Sequence, residues 1–455
     1  MPPHPNALSM IGDTPMVELT RLASGPCRLF AKLESQNPGG SIKDRIGLSM
    51  IEAAERDGRL APGGLIVEAT AGNTGLGLAL VAALKGYRLI IVMPDKMSQE
   101  KVFHLRALGA EVRMTRSDVA KGHPDYYQDF ARRLADEQGA FYVNQFENPA
   151  NPLAHETGTA PEIWTQMGHD LDAIVCGVGS GGTLTGIGRF MKRVAPEVEV
   201  VLADPEGSIL TDAVNCGVIG EVSGSWLVEG IGEDFVPDIC DLSLVSRAYA
   251  IPDREAFAVA REVLAREGLL VGSSSGTLIA AALRYCREQT TPKRVVTLIP
   301  DSGNKYLSKM YNDFWMIDQG FIERESHGDL RDLISRRHAE HEDYTVGPDD
   351  TLLTAYSRMK LYDVSQLPVV ADGAVIGLID ESDLLLRVYD HEERFRDPLT
   401  TAMTDKLETV PPTASLESLL PIFDRGQVAI VRDGDKFHGL ITRIDLLNHL
   451  RRRLP

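Results

Sequence analysis

Short apolar runs and longer segments of helical period alternate along about the first 300 residues of the chain. LIVEAT (65–70) reads as a strand, AGNTG as a turn, and LGLALVAALKG as a helix ending on Gly86. RLIIVMP then reads as a buried strand, SQEKVFHLRALG as a helix and AEVRMT as a further strand. The rhythm returns in the strand DAIVCGVG, the loop GSGGT, the helix LTGIGRFMKRVA and the strand EVEVVLADP, with VVTLIPD near residue 296. Uniformly apolar strands separated by helices belong in parallel sheets covered on both faces, an α/β fold. In such folds ligands bind where strand ends meet helix starts.

The pattern changes after WMIDQGF (315–321). ERESHGDLRDLISRRHAEHEDY is charged and weakly patterned, as a linker or connecting helix would be. An internal repeat follows: VGPDDTLLTAYSRMK matches VPPTASLESLLPIFD, VSQLPVVADG matches GQVAIVRDG, and GLIDESDLL matches GLITRIDLL. Two small α/β units, too short to be stable singly, are expected to pair about a pseudo-twofold. The expected domains are residues 1–320, a linker over 321–333 and a tandem module pair over 334–455, divided into about 334–395 and 396–455.

Bulk properties narrow the functional classes. A net charge of -18 argues against a nucleic-acid or anionic-membrane partner. No apolar run approaches the ~20 residues that span a bilayer, and MPPHPNALSM lacks the features of a secretory signal. Cys27, Cys176, Cys216, Cys240 and Cys286 form no CxxC pair and no metal-ligand spacing, so no metal is expected and a reducing, cytoplasmic location is.

Candidate chemistry lies in the loops. GVGSGGTLTG (177–186) places Gly179, Ser180, Gly181, Gly182 and Thr183 before a helix. Glycine lets backbone N–H groups converge there, and the helix start adds its positive dipole end. The loop has neither a GK[ST] signature nor the acidic residue of a dinucleotide site, so a single-phosphate cofactor is its natural occupant. TAGNTG (70–75) suits a substrate carboxylate or plain helix capping, and GSSSGT (272–277) leaves the same two readings. In NPGGSIKDR (37–45), Lys43 alone is one of 47 lysines and arginines. Together, a lysine amine, a phosphate cradle and a carboxylate loop describe an amino-acid enzyme using pyridoxal phosphate, whose aldehyde forms a Schiff base with lysine.

NPGGSIKDRIGLSMIEAAERDG, EATAGNTGLGLAL, MPDKMSQEKVFHLRALGAEV, NPLAHETG, DPEGSIL, VEGIGEDF and IPDSGNKYLSKMYNDFWM, over about residues 8–320, resemble the cystathionine β-synthase family. Its wider group is the fold type II pyridoxal-phosphate enzymes, and the repeat resembles a tandem pair of CBS modules. The resemblance implies a fold type II catalytic domain of two parallel-sheet subdomains followed by the module pair. It makes Lys43 the Schiff-base lysine, Asn73 the partner of the cofactor's 3′-oxygen, Gly179 to Thr183 the phosphate loop, and Ser274 the partner of the ring nitrogen. A neutral serine there makes the ring a milder electron sink than a carboxylate would. Thr70, Ala71, Gly72, Asn73, Thr74, Gln145, Gly230 and Glu233 fall to the substrates. The implied reaction replaces the hydroxyl of serine by the thiol of homocysteine, giving cystathionine; cysteine as first substrate would release hydrogen sulfide. A homodimer or tetramer is implied as well.

The departures are specific. Ala71 stands where the carboxylate loop commonly has serine, and Glu233 and Phe146 stand where animal members have tyrosine. The haem-binding extension of animal members has no counterpart, so no haem is expected. In the modules, Thr442 and Asp445 keep the positions that grip an adenosyl ligand, whereas Asp383 is accompanied by Asp380 at the hydroxyl position. The rival readings are a cysteine synthase using O-acetylserine and sulfide, and an adenosyl-ligand sensor with an inert catalytic half.

Overall fold

The computed structural model describes residues 3–70, 72–95, 99–119, 122–220, 224–341 and 343–451, and the chain divides into two units, Met1–Asn312 and Asp313–Pro455.

The first unit is built on two sheets. Strands β3 (Leu65–Ala69), β4 (Arg88–Pro94), β5 (Glu111–Thr115) and β6 (Phe141–Tyr142) form a four-stranded sheet in the order β5-β4-β3-β6, parallel throughout. The second sheet runs β1-β2-β10-β7-β8-β9, from β1 (Met16–Glu18), β2 (Arg28–Lys32), β7 (Ala173–Gly177), β8 (Glu199–Pro205), β9 (Arg247–Ile251) and β10 (Arg294–Leu298). It is parallel except at its edge, where β1 pairs antiparallel with β2. Every residue of β3 is buried, as expected of a strand covered on both faces.

Because the strands are parallel, their carboxyl ends share an edge, and helices begin there. Helix α1 spans Lys43–Arg56, α2 Asn73–Lys85, α3 Gly182–Val194 and α4 Ser273–Arg287. Two glycines set α1 against α2: a Cβ on Gly77 would lie 2.6 Å from the Lys43 carbonyl oxygen, and one on Gly47 would lie 2.8 Å from the Gly77 carbonyl carbon. Only bare backbone allows this approach, which brings the starts of the two helices side by side. The roll of α1 is fixed two residues beyond Lys43, within its first turn. Arg45, 6% exposed, donates to Glu34 (2.7 and 2.8 Å) and to Glu162 (2.7 Å twice), and Lys32 donates to Glu162 at 2.7 Å. Burial alone would raise the Glu162 pKa, but Arg45 and Lys32 hold it down at about 2.

In the second unit the repeat appears as two like pieces. The first contains α5 (Leu352–Tyr362), the antiparallel pair β11 (Gln366–Ala371) and β12 (Ala374–Asp380), and α6 (Glu381–Val388). The second contains β13 (Thr409–Val410), β14 (Ala429–Asp433), β15 (Lys436–Ile441) and α7 (Arg443–Arg451), with β13 parallel and β15 antiparallel to β14. The pieces exchange their leading segments. Leu330, Leu333 and Ile334 pack into the core formed by Val410, Leu419, Val431 and Ile441, while Leu399 and Met403 pack with Leu352, Leu367 and Ile379. Two glycines at matching repeat positions make room: a Cβ on Gly439 would lie 2.5 Å from Ile334, and one on Gly377 would lie 2.6 Å from the Met403 sulfur. The charged stretch read as a connection over 321–333 therefore carries core residues from Leu330 onward.

Candidate active site

The four helix starts of the first unit border one cavity of about 540 Å3. Lys43, Thr70, Gly72, Asn73, Thr74, Gln145, Gly179, Ser180, Gly181, Thr183, Gly230, Glu233 and Ser274 line it, and Lys101 and Glu229, 128 residues apart, hydrogen-bond in its wall. Gly182 lies behind the lining, and Ala71 lies outside the described residues.

Lys43 is the first residue of α1, and among the described residues none hydrogen-bonds or ion-pairs with its Nζ. Burial lowers its pKa to about 8, with the negative charges of Glu233 and Asp301 pulling the other way. Burial likewise raises the Glu233 carboxyl to about 8, helped by Asp234 and opposed by Lys43. At neutral pH the cavity thus holds an amine nearer to deprotonation than an ordinary lysine.

The loop Gly179–Thr183 passes from β7 into α3. Its glycines are demanded by close approaches: Gly181 has φ +85° and a Cβ there would lie 2.5 Å from the Cβ of Cys240, while a Cβ on Gly179 would lie 2.5 Å from the Gly230 carbonyl oxygen. First-turn amides of a helix lack internal acceptors, so this turn presents N–H donors at the positive end of α3. Behind it, Asn151 donates from Nδ2 to Ser180 Oγ at 2.9 Å and to the Gln145 carbonyl oxygen at 2.8 Å. His155 opens one turn of π-helix, His155–Thr159, and its Nε2 meets Thr183 Oγ1 at 3.2 Å. Burial, with the charges of Lys43 and Arg45, keeps the His155 pKa well below its ordinary value, so the ring is neutral.

Across the cavity, Thr74 Oγ1 donates to Gln145 Oε1 at 2.6 Å. That bond occupies Oε1 and leaves the amide nitrogen of Gln145, which lines the cavity, as a donor suited to a carboxylate. Glu68, 1% exposed on β3, fixes this loop by accepting from the Asn144 and Gln145 backbone at 2.7 and 3.3 Å. Asn144 has φ +48°, a left-handed conformation that asparagine tolerates. Phe146 lines the cavity beside Gln145 and stands 5.5 Å from the Phe235 ring. Ser274 sits at the start of α4, 4% exposed, lines the cavity and makes no side-chain hydrogen bond to another described residue.

The donor set fits pyridoxal phosphate: an N–H-rich turn for a phosphate, a primary amine without a partner, and a neutral hydroxyl. Nothing in the local sequence marks Asn151, Glu68, Asp301 or His155 as functional. Asn151 and His155 lie in NPLAHETG and Asp301 in IPDSGNKYLSKMYNDFWM, stretches that carry the family resemblance. Among the described residues no cluster of histidine, cysteine and carboxylate side chains is arranged to hold a metal ion, and no helix is long and apolar enough to cross a membrane.

In the second unit, Thr442 and Asp445 come together at a cavity of about 540 Å3 that Ser335, Arg336 and Tyr344 also line. Asp445 accepts from the Thr442 backbone (2.7 Å) and hydroxyl (2.5 Å), and from the Ser335 hydroxyl. The Arg336 guanidinium lies 4.0 Å from the Tyr344 ring centre. Asp383 is not part of this cavity: it exchanges hydrogen bonds with Asp380 in the capping box that starts α6.

Residues 7–301 match the family described as pyridoxal-phosphate dependent enzyme, and residues 331–390 and 399–452 each match the CBS domain. The chain is 37% identical to cystathionine beta-synthase of Dictyostelium discoideum, over 98% of this chain and 92% of that protein. It is 34% identical to that of Saccharomyces cerevisiae, over 98% and 97%. Among solved structures it is similar to O-ureido-L-serine synthase (TM-score 0.64, 34% identity, 72% of this chain and 98% of that one). It is also similar to a hydrogen sulfide-producing enzyme from Fusobacterium nucleatum (TM-score 0.62, 35% identity, 67% and 100%). With a cofactor-compatible cavity in one unit, paired CBS domains in the other and such relatives over nearly its whole length, the chain belongs to the cystathionine beta-synthase family of pyridoxal-phosphate-dependent enzymes.

Proposed function

We propose that the protein replaces the hydroxyl of serine by the thiol of homocysteine to give cystathionine, acting in the cytosol as a homodimer. The observation that carries this reading is the unpartnered Lys43 amine in one cavity with the Gly179–Thr183 turn and the Thr74–Gln145 pair. Pyridoxal phosphate, when bound, supplies an electron sink conjugated to the α-carbon of the amino acid. The N–H groups of the turn would hold its phosphate, Lys43 would hold its aldehyde until the amino group of serine takes that place and frees the amine, and Ser274 would offer the ring nitrogen a neutral partner. The Gln145 amide nitrogen and the first-turn N–H of Thr74 bind the carboxylate of serine and so aim its Cα proton at Lys43. Lys43 Nζ, with its pKa lowered to about 8, takes that proton and returns it to the departing hydroxyl, a poor leaving group unless protonated.

A kinetic comparison tests the substrate. Serine with homocysteine should give kcat/KM at least about tenfold above O-acetylserine with sulfide, or ~1.4 kcal/mol of transition-state binding. The reverse order would make the protein a cysteine synthase in function.

The second-unit cavity supports a further reading, an adenosyl ligand held by Thr442 and Asp445. A ligand at 100 times its Kd stabilises by ~2.7 kcal/mol, so a melting-temperature rise that Asp445→Ala abolishes is expected from at least one adenosyl compound. Melting unaffected by every such compound would leave the modules a structural role.

A further inference from the structure

Asn73 is gripped at both ends of its amide. Nδ2 donates to Asp301 Oδ2 at 2.8 Å, and Oδ1 accepts from Lys305 Nζ at 2.7 Å. An ionised carboxylate only accepts and an ammonium only donates, so the amide has a single orientation, nitrogen toward Asp301 and oxygen toward Lys305. Nδ2 carries two hydrogens and Asp301 takes one of them. The other remains for the cavity that Asn73 lines.

Asp301 is itself immobilised. It is 1% exposed, and Oδ2 also accepts from the Tyr306 hydroxyl at 2.9 Å. A Cβ on Gly272 would lie 1.7 Å from Asp301 Oδ1, so only glycine at 272 admits the carboxylate. The backbone of Asp301 ties the same point to two other walls of the site. Its carbonyl accepts from the Gly272 N–H at 3.0 Å, two residues before Ser274, and it forms a β-bridge with Ser41, two residues before Lys43. No motif in the loops themselves supplies this hub.

We propose that Asp301 and Lys305 are positioning residues that lock the Asn73 amide with one N–H aimed into the cavity, where it donates to an anionic ring oxygen of the bound cofactor. The proposal rests on Asn73 being a cofactor ligand, and its test separates the two. Dissociation constants for pyridoxal phosphate and visible spectra of the bound form are measured for the parent, Asn73→Ala, Lys305→Met, Lys305→Arg and Asp301→Asn. Loss of one such charge-assisted bond is worth on the order of tenfold in affinity. Lys305→Met and Asp301→Asn should each weaken binding on that scale and shift the visible band as Asn73→Ala does. Lys305→Arg, which still donates, should restore both, and Lys305→Met added to Asn73→Ala should cost little more. Parental affinity and spectrum in Asn73→Ala overturn the ligand reading and the proposal with it. Weakened Asn73→Ala beside a parental Lys305→Met overturns the positioning proposal alone. Where Asp301→Asn does not fold, the contrast between Lys305→Met and Lys305→Arg decides.

Discussion

Lys43→Ala should yield a colourless protein whose turnover of serine and homocysteine falls by ~10³ or more. The same amine is asked to hold the cofactor aldehyde and to carry the Cα proton, and among the described residues no other amine lines the cavity without an ion-pair partner: Lys101 and Lys309 are both paired with Glu229. Lys43→Arg should fail as well, because a guanidinium does not deprotonate in this range. Visible absorbance and steady-state rates check both variants, and a yellow, active Lys43→Ala protein ends the assignment. A pH signature accompanies it. Only the neutral amine attacks an aldehyde, and burial lowers the Lys43 pKa to about 8. Uptake of pyridoxal phosphate by the cofactor-free protein should therefore rise about tenfold per pH unit below 8 and level off above it, where an ordinary lysine would still be climbing. Glu233 raises the Lys43 pKa, so Glu233→Gln should move the midpoint to lower pH.

The parts of this protein that were legible in its sequence are those fixed by local rules. β3, β4, β7, β8 and β10 fall on runs that are largely apolar, because strands buried on both faces need no polar alternation, whereas β5 (Glu111–Thr115), at the sheet edge, carries charges and buries only Thr115. The helix after TAGNTG ends at Gly86, whose φ of +76° is the left-handed cap that glycine supplies. β1, β6 and β9 gave no such signal, being two or three residues long or only half-buried. The exchange of leading segments in the second unit was hidden for a different reason. Leu330, Leu333 and Ile334 sit among charges, and what buries them lies in the far repeat. The site divides in the same way. Glycine-rich helix starts mark themselves, so Gly179–Thr183 and Thr70–Thr74 could be read directly. Glu68, Asn151 and Asp301 matter through partners 77, 29 and 228 residues away, and no local spacing encodes such pairings.

Gly182→Ala should abolish tight cofactor binding although Gly182 itself does not line the cavity. A Cβ at 182 would lie 1.9 Å from Asn151 Oδ1, so the Asn151 side chain has to leave. It is 1% exposed and Oδ1 has no hydrogen-bond partner among the described residues, so it packs on bare Gly182 backbone with no room to give. Its departure breaks the bonds to Ser180 in the phosphate turn and to Gln145 in the carboxylate loop, two contacts worth about 1 kcal/mol each. Overpacking adds ~1–3 kcal/mol. A total of ~3–5 kcal/mol corresponds to a loss of affinity for pyridoxal phosphate on the order of 10²–10³, since each 1.4 kcal/mol is tenfold. Equilibrium dialysis of the cofactor against the variant reads it directly. The cause can be isolated: Asn151→Ala removes the atom in the way, so adding Gly182→Ala to that background should cost much less than in the parent. An equal cost in both backgrounds would place the damage in the α3 turn itself. A smaller cost assigns it to Asn151, and then one side chain braces both the phosphate and the carboxylate walls of the site.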